Sequence, residues 1–103
     1  MELVFHPKVK DDISELDGSV MTFAKKALNK IKLSPELGKP LGNKGDIDLS
    51  GYYKIYFYKK KYRIVYRVLD DKRLIIWSIG KREDEVVDLN AYKRILEAQN
   101  RDS

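Results

Sequence analysis

Residues 51–67 read GYYKIYFYKKKYRIVYR, a segment that holds six of the seven tyrosines and no acidic residue. On both sides of Lys59-Lys60-Lys61, apolar and aromatic residues alternate with basic ones at a period of two. This alternation is typical of β-strands, because successive side chains of a strand point to opposite faces. The segment therefore predicts a hairpin with one apolar face and one basic, aromatic face.

The basic, aromatic face of this hairpin favours contact with nucleic acid. Basic side chains attract the phosphate backbone, and aromatic rings stack on unpaired bases. The side chains that we expect to contact RNA in this way are Lys59, Lys60, Lys61, Arg67 and Lys81. For the three lysines of the turn, the simpler interpretation is that they keep the sheet surface soluble.

The composition limits the size of the fold, the partners and the chemistry that the chain can support. A chain of 103 residues with a net charge of +5 fits a single domain, 1–103, whose basic surface suits a polyanionic partner. The absence of cysteine excludes disulfides and thiolate chemistry, and the single histidine excludes a histidine pair or a multi-histidine metal site within one chain. We expect no cofactor and no metal. No apolar run is long enough for a membrane span, so we expect a cytoplasmic protein.

The order of patterns along the chain predicts an α+β domain. A short apolar strand precedes two helices, the second with Val20, Phe23, Ala27 and Ile31 on one face. A loop over 35–50 leads into the hairpin, a strand over 74–79 and a last helix with Leu89, Tyr92 and Leu96 on one face. The predicted fold is β-α-α-β-β-β-α, an antiparallel sheet with the helices packed on one face.

The fragments YKIYFYKKKYRIVY and WSIGKREDEV, followed by a helix that ends in KRIL, resemble the RelE/ParE superfamily of type II toxin–antitoxin toxins. The similarity is to the RelE-like branch and covers nearly the whole domain. It implies a toxin that cleaves messenger RNA on the ribosome and is neutralised by an acidic antitoxin. The toxin alone is expected to be monomeric, and its complex with the antitoxin a hetero-oligomer.

The resemblance also implies a site. Lys54, Arg63 and Arg82 match basic residues that RelE-like nucleases place around the scissile phosphate. Two positions differ from that pattern: Tyr56 replaces a second lysine, and Val87 stands where a tyrosine that stacks on a base is expected. A tyrosine introduced at position 87 is accordingly expected to raise cleavage.

Cleavage without a metal needs a base for the 2′-hydroxyl, positive charge on the phosphate, and an acid for the leaving 5′-oxygen. We assign Lys54 as the base, on the expectation that Arg63 faces it across paired strands and crowds its ammonium group. Arg63 is then a clamp on the transition state, and Arg82 a clamp or a proton donor.

Two questions stay open at this point. Tyr56 is either a stacking or acid–base group or a half-buried strand residue, with no preference between the two. The protein as a whole is a ribosome-dependent endoribonuclease, a ParE-like inhibitor of DNA gyrase without nuclease activity, or a catalytically weakened RNA-binding relative. Trp77 is expected in the core.

Overall fold

The structure is a computed structural model that describes residues 1–43, 45 and 47–101. The strands and helices of the fold are β1 (Glu2–Phe5), α1 (Val9–Ser14), α2 (Gly18–Leu33), β2 (Lys39–Pro40), β3 (Tyr52–Phe57), β4 (Tyr62–Val68), β5 (Arg73–Lys81) and α3 (Val86–Arg101). Single 3-10 turns lie at Pro35–Leu37 and Glu83–Glu85. In the described part of the chain, no helix has the length and apolar character needed to cross a bilayer.

The predicted α+β class and order of elements are confirmed, with one addition. The loop predicted over 35–50 contains the short strand β2, which pairs antiparallel with β3 at Lys39 and Lys54. Residues 44 and 46 of that loop lie outside the described residues. The predicted hairpin is β3 and β4, joined by the turn at Tyr58–Lys61.

The sheet is mixed, so the prediction of a purely antiparallel sheet is wrong at one edge. Its order is β1-β5-β4-β3-β2, and β1 runs parallel to β5 with Leu3 beside Leu74. After β1, the chain passes through α1 and α2 to the opposite edge of the sheet. It then returns by successive antiparallel strands, so that β5 arrives beside β1 pointing in the same direction.

The helices cover both faces of the sheet, which corrects the prediction that they share one. Apolar residues of α1 and α2 pack with Ile64, Tyr66 and Ile76. On the other face, α3 packs with Val65 and Trp77. Because β4 and β5 are apolar on both faces, each face needs its own cover. Trp77 is buried, as predicted.

The predicted buried face of α2 is confirmed except at Phe23, whereas α3 buries a face that differs from the predicted one. In α2, Val20, Ala24, Ala27 and Ile31 are buried, whereas Phe23 is 43% exposed. In α3, the apolar residues that face the sheet are Val87, Ala91 and Ile95, while Leu89 and Leu96 are 49% and 39% exposed. Both sets in α3 recur at helical spacing, so the spacing cannot choose between them, and packing against the sheet decides.

A buried ion pair closes the sheet edge beyond the end of β1. Asp12 of α1 and Arg94 of α3 form two hydrogen bonds, of 2.7 and 2.8 Å. Arg94 also donates to the Trp77 carbonyl at 2.8 Å, and Asp12 accepts from the Ile79 amide at 3.0 Å. These side chains thus satisfy the backbone groups of β5 that β1 is too short to reach.

Candidate active site

Tyr56 lies at the centre of a cluster of cations on the α3 side of the sheet. Arg63 is its cross-strand partner and donates from Nη2 to the Tyr56 hydroxyl at 2.9 Å. The guanidinium carbons of Arg63 and Arg82 lie 4.9 and 5.2 Å from the centroid of the Tyr56 ring. Lys54, two residues earlier on the same strand, points to the same face. The structure therefore brings together the residues predicted as catalytic, around the tyrosine whose role was open.

The pairing predicted between Lys54 and Arg63 is wrong. Lys54 lies opposite Val65, and Arg63 lies opposite Tyr56. The turn over 58–61 occupies four residues, and this length fixes the register of the hairpin. Arg63 is therefore diagonal to Lys54, and its nearest partners are other side chains.

Arg63 is a buried residue with a carboxylate partner. Its side chain forms an ion pair with Asp88 in the first turn of α3, and the residue is 6% exposed. Asp88 is not among the site residues predicted from the sequence. The sequence does contain a pattern that indicates this contact. Asp88 precedes Ala91 and Ile95 at helical spacing and so shares the face of α3 that meets the sheet.

The electrostatics of the cluster act on the Tyr56 phenol. Burial raises the pKa of Tyr56, but the hydrogen bond from Arg63 and the charges of Arg63, Lys54 and Arg82 together lower it more. The pKa of Tyr56 consequently lies below its ordinary value of 10.0. Burial lowers the pKa of Arg63, whereas the hydrogen bond and charge of Asp88 and the contact with Tyr56 raise it above its usual range. Arg63 thus stays cationic beneath the phenol.

A cavity of about 550 Å³ lies at the end of the hairpin, where Asp17 and Val20 place it on the side of the sheet that α2 covers. Arg82 lines this cavity and also approaches the Tyr56 ring, so Arg82 is the residue that the cavity and the cluster share. The other residues of the wall are Asp17, Val20, Tyr58, Lys60, Lys61, Tyr62, Lys81 and Glu83. Three of the five residues predicted to bind RNA thus share one concave surface.

The remaining two predicted RNA contacts lie elsewhere. Lys59 is exposed in the turn, and its backbone has a positive φ of 57°. Arg67 stands at the far end of β4, with its guanidinium carbon 5.0 Å from the centroid of the Tyr52 ring. Arg67 is four positions from Arg63 along β4, a distance of about 13 Å. Arg67 therefore does not belong to the cluster around Tyr56.

Val87 cannot serve the role that the resemblance suggested for a residue at that position. It is 1% exposed, and its side chain lies against Gly80. This burial argues against the expectation that a ring at position 87 would stack on a base. The neighbouring residue, Asp88, is the one that α3 directs toward the cluster.

Within the described residues, no three His, Cys, Asp or Glu side chains are grouped so as to hold a metal ion. The cluster instead offers two exposed or half-exposed cations, Lys54 and Arg82, next to a phenol with a lowered pKa. Such an arrangement can bind a phosphodiester and exchange a proton with it.

Known proteins share this fold and much of this sequence. Residues 3–86 match the family model of the ParE toxin of the type II toxin–antitoxin system parDE. The mRNA interferase toxin RelE of Escherichia coli K12 is 34% identical over 97 residues, which is 91% of this chain and 96% of that protein.

Solved structures agree with the sequence comparisons. The isolated E. coli RelE toxin matches with a TM-score of 0.65 and 32% identity, over 91% of this chain and 97% of that one. RelE in the intact E. coli RelBE toxin–antitoxin complex matches with a TM-score of 0.63 and 30% identity, over 80% of this chain and 96% of that one. The chain therefore belongs to the RelE/ParE superfamily of type II toxin–antitoxin toxins.

Proposed function

We propose that this protein is a type II toxin that cleaves messenger RNA on the ribosome. In this proposal the RNA 2′-oxygen attacks the adjacent phosphorus, and no metal takes part. The observation that carries the proposal is the placement of Lys54 and Arg82 around the Tyr56 phenol, next to a basic cavity.

Each cation has a role that its exposure supports. Arg82 is exposed and borders both the Tyr56 ring and the cavity, so it can contact the scissile phosphate and stabilise its charge in the transition state. Lys54 is half-exposed on the same face and is the proposed base for the 2′-hydroxyl. Arg63 acts on the site through its hydrogen bond to the Tyr56 hydroxyl.

The basic cavity is suited to the RNA that flanks the scissile bond. Lys60, Lys61 and Lys81 supply charge for phosphates, and Tyr58 and Tyr62 supply aromatic surface for bases. Dependence on the ribosome follows from the chemistry, since a site without histidine gains most from an RNA that is already held in line for attack.

The proposed partners are the ribosome with its messenger RNA, and an acidic antitoxin that covers the basic face. A net charge of +5 favours rapid association with such a chain. We propose that the toxin is monomeric alone, forms a hetero-oligomer with its antitoxin, and acts in the cytoplasm. The antitoxin side of the proposal is supported by RelE, which is a homologue with a solved RelBE complex.

A second candidate function is inhibition of DNA gyrase without nuclease activity. It is favoured by the matched family model, which is that of the ParE toxin. The presence of Tyr56 in place of a second lysine also departs from the RelE pattern.

Purified protein added to programmed ribosomes tests the two functions together. We expect a discrete cut in the mRNA, little cleavage of the same RNA free in solution, and unaltered supercoiling by gyrase. Arg82→Ala should reduce the cleavage, while Lys32→Ala, a change at an exposed lysine near the end of α2, should not. Intact mRNA together with arrested supercoiling would replace the nuclease with the ParE-like function.

A further inference from the structure

We propose that Tyr56 is the general acid of the cleavage reaction and that Asp88, acting through Arg63, is the residue that positions it. This inference rests on the proposed nuclease function and assigns a task to two residues for which the resemblance supplies none.

The hydrogen bond from Arg63 determines how the Tyr56 hydroxyl is oriented. An arginine side chain can only donate, so the Tyr56 oxygen is the acceptor in the 2.9 Å contact with Nη2. The hydrogen of the phenol must then point away from Arg63. Tyr56 is half-exposed, and Arg63 is buried, so this hydrogen is available on the side where RNA would bind.

The same surroundings stabilise the phenolate that remains after the proton has left. Arg63 donates directly to the oxygen, and Arg82 and Lys54 add positive charge near the ring. An ordinary phenol carries its proton near neutral pH and can therefore donate it. The cations around Tyr56 lower its pKa and so make the donation easier. These properties are those of an acid for a leaving alkoxide.

Asp88 makes the arrangement rigid. An arginine side chain has many rotamers, and one that is free to move would turn toward any nearby phosphate. The ion pair with Asp88 holds Arg63 against the sheet and compensates its charge. Arg63 is therefore a positioning residue for Tyr56, and the task of meeting the phosphate belongs to Arg82.

In the reaction, the bond between the 2′-oxygen and phosphorus forms as the bond between phosphorus and the 5′-oxygen breaks. The 2′-hydroxyl proton passes to the base, for which Lys54 is proposed. The Tyr56 proton passes to the departing 5′-oxygen. The products are a 2′,3′-cyclic phosphate and a 5′-hydroxyl. Tyr56 then regains a proton from water, and Lys54 returns its proton to water.

The first test is Tyr56→Phe, assayed on programmed ribosomes. We expect a loss of about a hundredfold or more, the usual size of a general-acid contribution. A message whose scissile 5′-oxygen is replaced by sulfur needs no acid, because a thiolate leaves without a proton. On that message Tyr56→Phe should cleave within a fewfold of the wild-type protein. A loss of equal size on both messages would overturn the proposal, because a base or a stacking ring is needed with either leaving group.

A matched control is Tyr53→Phe, which removes a hydroxyl from the opposite face of the same strand. It should cleave both messages at the wild-type rate. A loss in this control like that of Tyr56→Phe would point to the strand as a whole and would contradict a specific role for Tyr56.

The second test concerns Asp88. Arg63→Ala alone would leave a buried carboxylate without its cation, so the pair is replaced together as Arg63→Met with Asp88→Leu, which keeps the site packed. The pair variant should lose cleavage as Tyr56→Phe does, and recover on the sulfur message. Combined with Tyr56→Phe, it should cause no further loss. Additive losses would mean that Arg63 meets the phosphate directly, and would overturn the positioning role.

A measurement without RNA separates this inference from the function itself. In protein labelled at the tyrosine ring carbon that bears oxygen, the Tyr56 signal is assigned by its absence in Tyr56→Phe and followed against pH. The pair variant should titrate at higher pH than the wild-type protein. An unchanged midpoint would refute the link between Asp88, Arg63 and Tyr56 even if mRNA is cleaved. A shifted midpoint in a protein that cuts no mRNA would reject the function and keep the link.

Discussion

Gly38 lies so close to Tyr66 that a β-carbon at position 38 would stand 2.2 Å from the Tyr66 hydroxyl oxygen. The Gly38 amide donates to that oxygen at 2.9 Å, and the hydroxyl donates to the Pro35 carbonyl at 2.6 Å. The φ of Gly38 is −70°, an angle that any residue adopts. Glycine is therefore required here by the close approach of the ring, which fastens the chain after α2 to the sheet.

Gly38→Ala should lower the free energy of unfolding by about 1–3 kcal/mol, the usual cost of overpacking a filled site. Denaturant titration followed by circular dichroism measures it. Gly18→Ala is the control, because a β-carbon there meets nothing within 4 Å. Equal stability of the two variants would show that the Tyr66 ring moves aside freely.

Stability at alkaline pH should report the ionisation of Tyr66. Burial raises its pKa above the ordinary value of 10.0, although the hydrogen bond from Gly38 acts in the opposite direction. Below pH 10 this contribution is fully present. As the pH rises further, the unfolded chain loses the proton before the folded protein does, so the free energy of unfolding falls. Tyr66→Phe should show a shallower decline above pH 10, and parallel declines would contradict the assignment.

Arg94→Met should destabilise the protein by about 3–5 kcal/mol, because it leaves the buried Asp12 carboxylate without its cation. The double variant Asp12→Leu with Arg94→Met should recover part of the loss. Recovery should be incomplete, since the Trp77 carbonyl and the Ile79 amide still lack the partners that the pair supplied. Thermal unfolding of the three proteins gives the comparison.

Arg82→Ala should reduce cleavage on ribosomes by about a hundredfold, the typical cost of losing one charge contact in a transition state. Arg67→Ala removes the same kind of side chain from the far end of β4, where it contacts Tyr52. It should change the rate less than about threefold, a shift well below that of one transition-state contact. Equal losses in both variants would indicate a diffuse effect of charge on RNA binding.

Val87→Tyr should destabilise the protein and give no gain in cleavage. Val87 is buried against Gly80, so a larger side chain must displace the start of α3. The change is measured by thermal unfolding alongside the ribosome assay. Increased cleavage would show that position 87 reaches the RNA after all.

The features that were predicted correctly from the sequence are those that depend on residues close together in the chain, such as the strands and their faces. The hairpin predicted from the alternation over 51–67 is present, with Ile64 and Tyr66 on one face of the sheet and Arg63 and Val65 on the other. The strand predicted over 74–79 is β5, which has a neighbour on each side in the sheet. The resemblance of the fragments YKIYFYKKKYRIVY and WSIGKREDEV to the RelE/ParE superfamily is confirmed by the family model and by the similarity to RelE.

The failures concern contacts between distant residues. The parallel pairing of β1 with β5 depends on the path of two helices, which strand periodicity does not encode. The register of the hairpin depends on the length of its turn, so Lys54 could not be paired correctly from alternation alone. The contact of Asp88 with Arg63 could be predicted only if the face that α3 turns toward the sheet were known. That face is set by packing against Trp77 and Val65.

Because β1 pairs with β5, the first strand of the chain has no partner until the last strand has been synthesised. A chain is made from its N-terminus, so β1 and Asp12 emerge well before the strand and the arginine that complete them. Asp88, which holds Arg63 in place, comes later than every strand of the sheet. A nascent chain without α3 has both an open sheet edge and an unfinished site. The ribosome that makes this toxin has therefore translated through α3 before the molecule is able to attack a message.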